Sequence, residues 1–116
     1  MEPEKTPQGQ VGLIFAQALA AGEFPRAHGL LSAKLRTQIA ARELEAKFKE
    51  MIAYGDGPVT LVQVTNVLDN WPAKLPGDLG WAYVALAGDS YSEAVTVVVT
   101  REGDRLVVRD IEWGRP

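Results

Sequence analysis

The chain has 116 residues, 47% of them apolar and 23% charged, the make-up of one ordinary globular domain long enough to close its own core. The absence of cysteine excludes disulfides, thiol nucleophiles and cysteine-ligated zinc or iron–sulfur centres, and a single histidine excludes a histidine-rich metal site or a two-histidine relay. A net charge of −3 argues against nucleic acid, whose binding draws on a basic face.

Charge is uneven along the chain. Residues 1–53 hold seven Lys/Arg and six Asp/Glu, while residues 54–116 hold five and nine, so the second half is acidic. The opening MEPEKTPQGQ is polar, with two prolines, and lacks the basic and apolar regions of a signal peptide. Residues 1–9 read as a flexible arm before a single domain over 10–116. The most apolar helical stretch, VGLIFAQALAA, is too short for a bilayer and contains Gln17. A cytoplasmic protein without a membrane span is expected.

The first helix is predicted over 10–21, with Val11, Ile14, Phe15, Ala18 and Leu19 on one apolar stripe and Gly22 as its stop. A short second helix follows, Pro25 in its first turn and Phe24, Ala27 and Leu31 on one face; residues 34–39 add a further turn. The third helix, roughly 40–53, buries Leu44, Phe48, Met51 and Ile52, with Glu43–Lys47 and Glu45–Lys49 paired on its wet side. YGDGP (54–58) ends the helical period, and alternation takes over. Strands are predicted over 59–69, 79–87, 91–101 and 105–113, rich in β-branched residues, and the short loops GD(S) and EGD make the last three an antiparallel meander. Helices followed by strands give an α+β fold, three helices packed on one face of a curved four-stranded antiparallel sheet.

The first helix ends Ala21-Gly22-Glu23-Phe24, the second carries Ala27-His28-Gly29-Leu30-Leu31-Ser32, and the meander closes on LVVRDIEWG. This order resembles the nuclear transport factor 2-like superfamily, the cystatin-like α+β cone, over about residues 10–113. The resemblance implies a conical pocket between sheet and helices. It also implies a choice among isomerases, dehydratases, small-ligand binders, transport factors and immunity proteins, so the fold does not select the function.

Steroid-isomerase-like members use a pocket carboxylate as base with a tyrosine as oxyanion donor. The candidates here are Glu93, Asp110 and Glu112 with Tyr54, Tyr83 and Tyr91, none matching that family's motif residue by residue. Dehydratase-like members use paired histidines, and only His28 is present, a residue that reads as a partly exposed helix position. The face of Glu93 depends on register. A Gly88-Asp89 turn puts it with Val84, Leu86, Val95 and Val97, and sets Trp81, Tyr83 and Ala85 on the other face with Ala94, Thr96 and Val98. A Gly88-Asp89-Ser90 loop puts Glu93 with Trp81 and Tyr83. Gly-Asp favours the first, with Glu93 at the rim or surface. Arg109 and Asp110 are either pocket groups or cross-strand partners.

No phosphate loop, Ser-His-Asp arrangement, calcium loop, metal site or cofactor motif is visible. The reading adopted is a non-enzymatic domain that binds a small apolar ligand or a protein, a homodimer through its sheet face. Trp81, Tyr83, Trp113, Phe15 and Phe48 serve as pocket or interface residues, and Trp71 adds to the aromatic set. The first alternative is an isomerase or dehydratase of a hydrophobic carbonyl compound, with Glu93 or Asp110 as base and Tyr83 as donor. The second is an immunity or adaptor protein whose acidic sheet meets a basic partner.

Overall fold

The computed structural model describes residues 2–114. Helices come first and strands second, as the change of period near Gly55 predicts. The helices are α1 (Pro7–Ala20), α2 (Phe24–Gly29), α3 (Ala33–Gln38) and α4 (Ala41–Ile52), and the strands are β1 (Leu61–Leu68), β2 (Asp78–Ala87), β3 (Ser92–Glu102) and β4 (Arg105–Trp113). The strands form one antiparallel sheet in chain order, β1-β2-β3-β4. Register slips between Val64 and Asn66, between Asp78 and Gly80, and opposite the Val98/Val99 step, and such bulges bend and twist a sheet.

The described residues form four α-helices, not three. Leu31 pairs in parallel with Val108, and Ser32 N–H donates to the Val108 carbonyl at 2.7 Å. That extended step stops α2 at Gly29. The Ser32 hydroxyl then accepts the Leu35 N–H at 3.2 Å and caps α3 as a separate helix. Residues 2–9 are not a loose arm. Pro3–Lys5 form a 3₁₀ turn, and Thr6 caps α1 by accepting the Gly9 N–H at 3.0 Å, with Pro7 pre-set for the first helical position. Thr6 and Gln8 are buried, and the Gln8 amide donates to Asp69 Oδ1 at 2.9 Å.

The stripe of α1 is rotated from the expected one. Ile14 is exposed, whereas Gly12 and Ala16 are buried beside Phe15 and Leu19. A Cβ on Gly12 would stand 3.1 Å from that of Ala82 and 3.3 Å from a methyl of Val84. The helix therefore approaches the sheet through its smallest residues. The core between helices and sheet is filled by Phe15, Leu19, Leu31, Leu44, Val84, Leu86, Val95, Val97 and Val99, all without solvent exposure. Phe24 and Phe48 join α2 to α4 with ring centroids 6.0 Å apart at 53°, a tilted pair that adds about 0.5–1.5 kcal/mol beyond burial.

The two turns at one end of the sheet are clasped together. Tyr91 Oη donates to the Gly57 carbonyl at 3.1 Å, Tyr54 Oη donates to the Ser92 carbonyl at 3.0 Å, and Ser90 Oγ accepts the Asp56 N–H at 2.7 Å. The Tyr91 ring lies so close to Gly55 and Gly88 that a Cβ on either would come within 2.6 Å of it. No described helix is long and apolar enough to cross a membrane.

Candidate functional site

Three places on the molecule gather polar or aromatic groups away from the core. The first is the sheet face turned from the helices. Register settles which residues share it. Leu86 lies opposite Glu93 and Ala87 opposite Ser92, so Asp89-Ser90 occupy the centre of the hairpin and Gly88 N–H donates to the Tyr91 carbonyl at 3.0 Å. The turn sits one residue later than a Gly88-Asp89 turn would. A shift of the turn centre by one residue moves partners by two, so the faces are those of the favoured register.

Trp81, Tyr83 and Ala85 thus share the outer face with their partners Val98, Thr96 and Ala94. The Trp81 and Tyr83 rings stack, centroids 6.2 Å apart and 23° between planes, and both remain half-exposed. Across β1, Leu68 lies beside Trp81 and Asn66 beside Tyr83. Across β4, Asp110 lies beside Val98 and Glu112 beside Thr96, both exposed. The face is a ridge (Leu68, Trp81, Tyr83) next to a lower row of smaller residues (Ala85, Ala94, Thr96, Val98), of which Ala94, Thr96 and Val98 are already buried in the single chain, with amides along one edge and carboxylates along the other.

The second place is a cleft of about 300 Å³ at the end of α4, lined by Lys47, Glu50, Met51, Glu93, Trp113 and Gly114. Glu93 and Trp113 are half-buried here on the helix side of the sheet. The structure brings these two together and keeps Glu93 away from Tyr83, which faces the other way. Asp110 is on the Tyr83 side, but β3 runs between their strands. Phe15 and Phe48 are core plugs and line neither cleft. His28 is half-buried, its Nε2 2.7 Å from the Ile39 carbonyl, a tie between α2 and the end of α3.

The third place surrounds Arg109. Its guanidinium grips Asp78 with Nε–H to Oδ1 and Nη2–H to Oδ2, both 2.7 Å, and the Asp78 side chain is 1% exposed. Arg109 is the extra residue of the β4 bulge, the position where a bulge re-aims a side chain. The hydrogen bonds from Arg109 hold the Asp78 carboxyl below the usual carboxylate range against the opposing effect of burial, with the Leu75 N–H at 2.8 Å helping. Next to this pair is a cavity of about 420 Å³ lined by Ser32, Lys34, Leu35, Gln38, Leu75, Arg109 and Asp110. Sequence reading places Asp78 in a connection and gives it no role, since a Pro-Gly-Asp turn carries no mark of a partner thirty-one residues on.

Among the described residues no group of three or more histidine, cysteine or acidic side chains is arranged to hold a metal. In comparisons with known proteins, no family model, no curated protein and no solved structure matches the chain.

Proposed function

We propose that this chain is a nuclear transport factor 2-like cone used for binding rather than catalysis, and that its outer sheet face docks a second copy of itself. The observation that carries the reading is the stacked, half-exposed Trp81–Tyr83 ridge lying beside the lower row of Ala85, Ala94, Thr96 and Val98. Aromatic residues are the side chains most enriched in interface cores and hot spots.

The pattern is self-complementary about one axis. A two-fold axis parallel to the strands, between β2 and β3, lays each β2 over the other copy's β3 and each β1 over the other β4. Trp81 and Tyr83 then meet Val98 and Thr96, the carboxylate of Glu112 meets the amide of Asn66, and Asp110 meets Leu68 at the rim, where its carboxylate keeps contact with water. An axis across the strands would instead stack Asp110 and Glu112 on their own copies, and like charges face to face are unfavourable. With strands about 4.8 Å apart and a rise of about 3.3 Å per residue, the flat footprint is roughly 500 Å² per copy. The pair reaches about 1,000 Å², the lower bound of a specific interface. Catalysis by Glu93 with Tyr83 is disfavoured because the sheet separates them.

Sedimentation equilibrium tests the reading. The expected mass at micromolar concentration is twice the 12.6 kDa of one chain, falling to one chain in Tyr83→Lys with the circular dichroism spectrum unchanged. A wild-type protein that stays at the single-chain mass up to millimolar concentration overturns it.

A further inference from the structure

The Arg109 cavity adjoins the outer face through Asp110 but contains none of the ridge residues Leu68, Trp81 and Tyr83. Asp78 occupies the Nε/Nη2 edge of the guanidinium and leaves the Nη1/Nη2 edge, with its parallel N–H donors, unused by any described residue. A guanidinium held on one edge by a buried carboxylate is fixed in direction, so its second edge is preorganised for a planar, two-oxygen acceptor. Arg109 lines the cavity, and Lys34, which makes no ion pair among the described residues, lines it too. Leu35 and Leu75 supply apolar wall, and Gln38 an amide. Leu75 is 52% exposed, and its backbone N–H is tied to Asp78. The same carboxylate therefore anchors both the cation and one wall. At about 420 Å³ the cavity is within the size range of small-ligand sites.

Charge selects among anions. Arg109 and Lys34 bring two positive charges and Asp78 and Asp110 two negative, so the site as a whole is balanced, and Lys34 with the free edge of Arg109 forms a positive side that suits one negative charge better than two. A phosphate dianion would leave excess negative charge beside Asp110. We infer that the cavity between α3, the β4 bulge and Leu75 is a binding site for a small monocarboxylate with an apolar body, its carboxylate on the free edge of Arg109 and its tail along Leu35 and Leu75.

The test is an NMR titration of the full-length protein with hexanoate, inorganic phosphate and leucine in parallel, following backbone amides and the Arg109 Nε–H. Hexanoate is expected to give saturable shifts in the low-millimolar range at Lys34, Leu35, Leu75 and Arg109, with phosphate weaker. Lys34→Gln, an exposed change that leaves the Asp78–Arg109 pair intact, should weaken hexanoate about two- to fivefold, the effect of one exposed charge. Leu75→Ser should weaken it through the tail while leaving phosphate unaffected. Unsaturated or absent shifts with hexanoate, shifts confined to other regions, or phosphate binding as tightly as hexanoate overturn the proposal. Tighter binding of leucine than hexanoate also overturns it, because Asp110 would then serve an ammonium group and the ligand would be a zwitterion.

Discussion

Asp78 and Arg109 show how one pair sets the acid limit of the fold. Because the folded carboxyl titrates below its unfolded value, the unfolded state takes up a proton first as pH falls. Its contribution to stability is therefore complete above the ordinary carboxylate range and is lost as pH drops through the lowered folded value. Urea midpoints measured from pH 7 down to pH 2 should fall below about pH 4, and Asp78→Asn should flatten that fall. At neutral pH, Arg109→Met leaves a buried carboxylate without its cation and is expected to cost about 3–5 kcal/mol. A midpoint within error of wild type would show that the pair is not a stabilising contact. The sequence offers Arg109 as a cross-strand partner but does not point to Asp78. Arg109 reads as one of two charged neighbours on a strand, and only the bulge decides that it turns to Asp78 while Asp110 stays exposed.

The elements themselves are largely legible, for a physical reason. Periods of 3.6 and 2 are local properties, so the four strands and the cores of α1, α2 and α4 follow from spacing alone. What spacing misses is close approach. Counting apolar residues selects Val11 and Ile14 for the buried face of α1, but the helix seats Gly12 and Ala16 against β2 because small side chains let backbones near each other. Gly12→Val should force helix and sheet apart and lower stability by about 1–3 kcal/mol, whereas Ile14→Gln should shift the thermal midpoint little. Equal effects of the two would place the stripe wrongly. One of the two pairs expected on the wet side of α4 is present. Glu45 and Lys49 do pair at 2.7 Å, but Glu43 turns back to accept the Ala40 N–H at 3.1 Å. The clasp between turns predicts a further element-scale effect. Gly88→Val drives a side chain into the Tyr91 ring, with an expected loss of about 1–3 kcal/mol in urea unfolding.

At the scale of the molecule, the lack of cysteine makes the proposed assembly geometry directly testable. In the double variant Asn66→Cys/Glu112→Cys, a short bismaleimide should yield a covalent dimer, because the axis parallel to the strands sets those positions of two copies face to face across sheets packed about 10 Å apart, a gap too wide for a direct disulfide. Glu112→Cys alone should remain uncrosslinked, and efficient crosslinking of that single variant would indicate the other axis. The sequence indicates that an outer face exists and which aromatic residues occupy it. It does not indicate that Glu93 and Trp113 share a cleft, since that depends on how α4 is laid across the strand ends. The segment 30–32 running along β4 has one more consequence. It occupies both backbone groups of Val108 near the middle of that border strand, and on the opposite border the irregularity between Val64 and Asn66 interrupts β1. Neither margin therefore offers a long, straight template on which further molecules could add as fibrils. The pairing proposed for the outer face would therefore stop at two copies without inviting open-ended polymerisation.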